Sequence, residues 1–324
     1  MAISKKDILE GFVSRLKQIL ESGQIPPWQK PWTPQFGPET SRPHNPVTGH
    51  AYQGFNSLDL ELSAALAGYD DPRWVGFRQA ALQGWRVRKG EKAAHIYLPV
   101  EITLHQHERG PVNSESADDQ QRKMLVFKRV PVFNAQQIDG IPPLAVTPEA
   151  TLHPKSTEFE AIAHQMGVRI TEAHSDHAYY RRGPDLITLP MRASFANQYG
   201  HDSTLAHELA HATGHALRLN RDLGGPFGSL RYAAEEVTAE IGAYLTCKEL
   251  GIAYAGGNPD MTDEQHLAYT ASWANNLKTD PKGLGQAIDN GIKASRYLSQ
   301  QLDLCQGKAL NPEQREEIAM PDFH

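Results

Sequence analysis

"HELAHATGH", residues 207–215, puts His207, Glu208 and His211 into one short segment, with a third imidazole, His215, four residues later. A chain with 15 His among 324 residues yields a His-Glu-x-x-His arrangement by chance about 0.04 times. On a helix, positions four apart share a face, so His207 and His211 can present both imidazoles to one ion. Glu208, one residue past the first imidazole, points to the neighbouring side of that ion. There a carboxylate can hold an activated water and take its proton. The segment therefore reads as a metal-binding helix of an HExxH metallopeptidase, which sets the expected fold of the second half.

A catalytic zinc takes three protein ligands and leaves one position open. "EEVTAE", residues 235–240, supplies Glu235, Glu236 and Glu240. Helical spacing puts Glu236 and Glu240 on one face and Glu235 about 100° away. Glu236 is the expected third ligand, and Glu240, one turn later, sits where a carboxylate orients a ligand histidine. Glu235, Glu240 and His215 stay open as alternatives. His215 continues the four-residue row, but about 12 Å along a straight helix from His207 is too far to share one ion. His201 reads as a loop histidine. The expected metal is one Zn2+ per chain, with Mn2+ as the alternative. Serine and cysteine nucleophiles find no support, since "PFGSL" around Ser229 lacks a G-x-S-x-G elbow and neither Cys has a motif around it, and "GLGQAIDNG" is no phosphate loop, lacking GK[ST].

The chain is 40% hydrophobic and 22% charged, a globular composition, and long enough for two domains. No apolar run nears the length of about 18 residues that a membrane span needs, and "MAISKKDILEGFVSRLKQIL" reads as an amphipathic helix rather than a signal peptide. Two cysteines, Cys247 and Cys305, exclude a disulfide scaffold and a Cys-rich zinc finger, and a reducing cytoplasm is the expected home. The formal charge of −6 is unevenly spread: residues 1–150 carry 17 Lys and Arg against 16 Asp and Glu, leaving 15 against 22 for the rest. Two domains with different partners follow from that asymmetry.

A Pro- and Trp-rich stretch follows the first helix. "SLDLELSAALAGY" reads as a helix, as does "DPRWVGFRQAALQGW", with Asp71 as its N-cap and Pro72 at its first position. "AHIYLPVEITLH" and "KMLVFKRVPVFN" read as strands joined by a polar loop. Residues 139–156 are proline-rich and divide the chain into 1–138 and 157–324. In the second half "STEFEAIAHQMGV" is a helix, "RITEAH" and "AYYRRGPDLITLP" are short strands around a turn, and "TLAHELAHATGHALRL" is a helix that Gly214 helps to end. "RYAAEEVTAEIGAYLTCKEL" is a helix capped by Ser229, followed by helical "DEQHLAYTASWANNL" and "AIDNGIKASRYLSQQL". The fold class is α+β: a mixed N-terminal domain, then a mainly helical domain with a small sheet.

Residues 73–92 hold six Lys and Arg against Glu91 alone, interleaved with Trp74, Phe77 and Trp85 and preceded by Trp28, Trp32, Tyr52 and Phe55. Cations that follow a backbone and aromatics that stack on unpaired bases describe a single-strand binding face. Trp74, Arg78, Arg86, Arg88, Lys89 and Lys92 are its candidates. Trp74 and Phe77 at helical spacing also fit a core-facing stripe.

These blocks resemble the ArdC family of plasmid antirestriction proteins, related to the N-terminal part of TraC-type plasmid primases. The resemblance rests on "NPVTGHAYQGFN", "DPRWVGFRQAALQGWRVRKGEKA" and "VFNAQQIDG" in the first half, and on "DLITLP", "TLAHELAHATGH", "YAAEEVTAEIGAYL" and "YTASWANNLKTDP" in the second. It implies an N-terminal single-stranded-DNA-binding domain and a C-terminal zincin-like metallopeptidase domain, in a protein that protects DNA entering by conjugation. Two functions are then open: a peptidase in which Glu208 serves as general base toward a protein substrate, or a non-enzymatic module that shields single-stranded DNA and uses the metal for folding.

Overall fold

Ser4 starts the first helix, its hydroxyl oxygen accepting the Asp7 backbone N–H at 3.2 Å. The computed structural model describes residues 2–22, 24, 26–29, 42–105, 121–144, 156–175, 177–195, 197–226, 229–252, 254 and 280–308. Helix α1 (Lys5–Glu21) buries Ile8, Phe12, Leu16 and Ile19, spaced three and four apart, on one face. Helix α2 (Gly54–Ala67) stops at Gly68, whose φ of +73° suits a residue without a Cβ.

The N-terminal sheet is organised around a long antiparallel ribbon. Strands β4 (Ala94–His105) and β5 (Gln121–Asn134) pair from Ala94↔Val132 to His105↔Gln121. On the other edge of β5 lie β1 (Ala2–Ile3) and β2 (Trp74–Val75), both antiparallel to it. A separate two-stranded pair joins β3 (Arg86–Val87) to β6 (Ile138–Asp139).

The single helix expected over 71–85 does not form. Backbone pairing with β5 takes Trp74 and Val75 into strand β2, and only α3 (Phe77–Leu82) is helical, with Gly76 rather than Asp71 at its N-cap. Asp71 is committed elsewhere, its carboxylate receiving the Arg73 backbone N–H at 2.9 Å and the Arg73 guanidinium at 2.7 Å. A strand partner in space has overridden a local helical preference.

In the second half, α4 (Ser156–Gln165) precedes a three-stranded sheet of order β7-β9-β8, comprising β7 (Arg169–Ala173), β8 (Tyr179–Arg181) and β9 (Leu186–Pro190). Strand β9 runs parallel to β7 and antiparallel to β8. Helix α5 (Gln198–Ala212) is capped by Asn197, and α6 (Leu230–Leu250) by Ser229, whose hydroxyl accepts the Tyr232 N–H at 3.2 Å. Helix α7 (Pro281–Cys305) closes the stack. The helix expected within 263–277 lies outside the described residues.

Two glycines let these helices meet closely. A Cβ on Gly242 of α6 would stand 3.1 Å from Ala210 of α5 and 3.2 Å from Ala294 of α7. One on Gly291 of α7 would come within 2.8 Å of the Ile241 Cβ. This contact brings the α5 motif and the α6 carboxylates onto facing surfaces. The core runs through both halves, for Phe12, Leu16, Trp28, Leu58 and Leu62 belong to the same buried cluster as Leu205, Leu209, Ile241 and Ile288. Glu61 of α2 reinforces the join, accepting from the Tyr244 hydroxyl and pairing with Lys248 of α6 at 3.2 Å. Among the described residues no helix is long and apolar enough to cross a membrane.

Candidate metal centre and nucleic-acid face

Helix α5 ends at Ala212, so His207 and His211 are one turn apart in its last two turns. Their Nε2 atoms approach to 3.1 Å. Glu236 of α6 faces both, with Oε2 3.4 Å from His207 Nε2 and Oε1 3.6 Å from His211 Nε2. One donor atom from each of His207, His211 and Glu236 lies within 4.8 Å of the other two. Two imidazoles and one carboxylate converging from two helices fit a divalent ion with an open position.

The outer nitrogens of the two histidines are treated differently. His211 Nδ1 is 3.2 Å from Glu235 Oε1, a hydrogen bond that leaves Nε2 turned toward His207 and Glu236. His207 Nδ1 faces Glu240 Oε2 at 3.6 Å, a charge contact longer than a hydrogen bond. Glu235 thus serves His211 much as Glu240 faces His207. Its place, about 100° around α6 from Glu236, is where an orienting rather than a ligating group belongs.

Burial opposes ionisation of Glu236, but the hydrogen bond from His207 and the charges of both imidazoles bring its carboxyl down to about 2. Burial likewise works against a charged His207, yet Glu236 and Glu240 outweigh it and raise the imidazole well above its usual value. Glu208, 6% exposed, is pushed above the usual carboxylate range by burial, against the pull of His211 and His207. The backbone N–H of Tyr180, on the edge strand β8, hydrogen-bonds its carboxylate.

His215 stands beyond the end of α5, its Nδ1 accepting the Leu217 N–H at 3.2 Å, and it is no part of the donor cluster. His201 is a buried helical residue and not a loop histidine, with Nδ1 beside Gln198 and Asp202. Gly214 is needed for room more than for helix termination, because a Cβ there would sit 2.5 Å from Leu223 and 3.1 Å from Arg221 Nη2. Sequence reasoning missed Arg221, which has no motif around it. It also missed Tyr232, which hydrogen-bonds Glu236 from one turn upstream on α6, a spacing that would have pointed to it.

The basic stretch is less available than its composition implies. Trp74 is 2% exposed and packs with Leu60 and Val132, so its ring is enclosed by core side chains and cannot stack on a base. Trp28 is enclosed too, stacked on Phe12 with ring centroids 6.1 Å apart, and Trp32 lies outside the described residues. Arg73 is held by Asp71 and the Pro142 carbonyl. Arg86 pairs with Asp139 at 3.4 Å, and Arg88 pairs with Glu91 at 2.9 Å and reaches the Gln136 carbonyl. Arg78, Lys89 and Lys92 are exposed, with no ion pair or side-chain hydrogen bond among the described residues. Beside them Phe77 is 57% exposed, its ring edge against Phe133.

Comparison with known proteins places this architecture. Residues 6–133 match the N-terminal domain of anti-restriction factor ArdC, and residues 157–290 match the zincin-like metallopeptidase family. The crystal structure of the antirestriction ArdC protein from plasmid R388, metal-free, is 30% identical and superposes with a TM-score of 0.69, covering 94% of this chain and 100% of that one. The chain belongs to the ArdC antirestriction family. A Mn(II)-bound structure of the R388 protein matches with a TM-score of 0.65 at 30% identity, over 91% of this chain and 97% of the other. The chain is also similar to a DNA primase TraC from Escherichia coli, 38% identical over 301 residues and 91% of this chain. This chain spans only 20% of that primase's length.

Proposed function

We propose that this ArdC-family chain binds single-stranded DNA entering by conjugation, in the cytoplasm, and hydrolyses a protein substrate at a zinc site formed by His207, His211 and Glu236. The observation that carries the peptidase reading is Glu208, a buried carboxylate next to His207 and outside the donor set, where a purely structural metal has no use for it. His207, His211 and Glu236 would hold a divalent ion, which when bound would supply Lewis-acid polarisation of a carbonyl and make an attacking water more acidic. Zinc is the favoured metal for two imidazoles and one carboxylate, and Mn2+, bound by the R388 relative, is the alternative. Glu208 takes the proton of the attacking water and returns it to the leaving amine. The Tyr180 N–H holds the carboxylate in place, and Tyr232 steadies Glu236.

For DNA the exposed face of α3 and the turn after β3 supports the reading best. There Arg78, Lys89 and Lys92 are free to follow phosphates, with Arg86 and Arg88 at the rim, and Phe77 takes the stacking role once expected of Trp74. Residues 1–138 carry this face and 157–324 the metal centre.

The test is one protein sample assayed for DNA retention and casein hydrolysis, with and without chelator. Chelation should abolish hydrolysis and leave DNA binding intact. If hydrolysis is absent in the metal-loaded protein while DNA protection persists, the chain is a shielding module with a structural metal.

A further inference from the structure

Arg221, in the loop after α5, makes four contacts that no motif announces. Its Nη2 donates to Glu235 Oε1 at 2.8 Å, and its Nε donates to Glu235 Oε2 at 3.2 Å. Nη1 donates to the Thr213 hydroxyl at 2.6 Å, and Nη2 also reaches the Ala210 carbonyl at 2.8 Å. The guanidinium, on a side chain 7% exposed, therefore joins the end of α5 to the start of the α6 carboxylate row. Gly214 leaves the space it occupies.

Four carboxylates, Glu208, Glu235, Glu236 and Glu240, surround two imidazoles here, and a dication would attract any of them. Only Glu235 is held in a fork by a buried cation. We propose that Arg221 is the positioning residue of the metal centre and selects its third ligand. By taking both oxygens of Glu235 it withdraws that carboxylate from the ion and makes it the acceptor for His211 Nδ1–H. His211 is thereby fixed with Nε2 toward Glu236, which is left as the ligand. This inference rests on the metal-centre reading above and adds to it a determinant outside the HExxH helix.

The full-length protein, stripped of metal, is titrated with Zn2+ against a chromophoric chelator, with circular dichroism as the check on folding. Arg221→Met should weaken Zn2+ binding by about 10–100-fold, the usual cost of losing a group that orients a ligand. Arg221→Lys, which keeps the charge but not the fork, should lose less. Adding Glu235→Gln to Arg221→Met should recover most of the loss, because the amide oxygen still accepts from His211 and no loose carboxylate competes for the ion. A merely structural role predicts no such recovery. Wild-type affinity in Arg221→Met, or no recovery in the double variant, overturns the proposal. Should Arg221→Met fail to fold, the comparison passes to Glu235→Ala and Glu235→Gln with Arg221 in place. Weaker binding is expected in the first only, and equal affinities overturn the proposal. Wild-type protein that binds no Zn2+ at all removes the metal centre itself, a failure distinct from the others.

Discussion

Glu208 is buried beside His207 yet stands outside the His207–His211–Glu236 donor set. Replacing it with Ala should leave metal content unchanged and reduce hydrolysis by about 10²–10⁴-fold, the range of a general base. Metal content by elemental analysis and peptide cleavage on the same sample check both parts, and loss of the metal would make Glu208 a ligand. Glu236→Ala should lose the metal itself. A second residue-scale consequence concerns Asp59, which is 1% exposed and paired with Arg15. Burial raises its carboxyl to about 6 in spite of that partner. A carboxyl with a folded pKa above its unfolded value binds its proton more tightly in the native state. Its stabilising contribution is therefore full below the unfolded value and is lost as pH rises through about 6. Relative to Asp59→Asn, the wild type should be more stable at acid pH than at neutral pH. Denaturant unfolding of both proteins on either side of that window measures the difference, and a constant difference would refute the assignment.

At the scale of elements, the metal centre depends on how closely α6 approaches α5 and α7. Gly291→Ala would place a methyl 2.8 Å from the Ile241 Cβ and 2.9 Å from the Thr238 carbonyl, and a backbone oxygen cannot yield as a side-chain tip can. Overpacking of this kind costs about 1–3 kcal/mol, and α6 should move with Glu236 and Glu240 on it. Gly285→Ala, on the same helix, meets nothing nearer than Leu9 Cβ at 3.8 Å. There the change should be neutral or stabilising by up to about 1 kcal/mol, as for a helical glycine replaced by alanine. Thermal unfolding with parallel metal titration distinguishes the two, and a Gly291→Ala protein with normal stability and affinity would show the helix contact to be slack.

At the scale of the whole molecule, the proposed DNA face and the candidate metal centre lie on different elements joined by one core. Affinity for single strands should fall steeply with salt, since each neutralised phosphate releases counterions. Replacing Arg78, Lys89 and Lys92 together by Ala should flatten that slope, and Phe77→Ala should weaken binding with the slope kept. A slope unchanged in the triple variant would put the DNA face elsewhere. Because α1 and α2 share their buried cluster with α5, α6 and α7, a fragment ending at residue 138 should expose Phe12, Leu16 and Leu58 and associate. Light scattering of that fragment checks this, and a monodisperse, cooperatively folding fragment would contradict it.

By itself the sequence determined the features that depend on local periodicity and on motifs. The α6 helix with its Ser229 cap, the ribbon strands read at 94–105 and 123–134, and the proximity of His207 and His211 all follow from spacing along one element. Pairing between distant segments was decided only in three dimensions. Trp74 reads as a helical residue, open both to a core-facing stripe and to base stacking, but the edge of β5 captures it as a strand residue and encloses its indole. Arg88 counts as a free cation until Glu91 and Asp139 are seen beside it. Glu235 and Glu236 are adjacent glutamates of identical chemistry in the sequence. Arg221, folded back from a loop, forks one of them beside His211 and leaves the other facing both imidazoles, because a fork of donors from another segment acts only where the chain brings it.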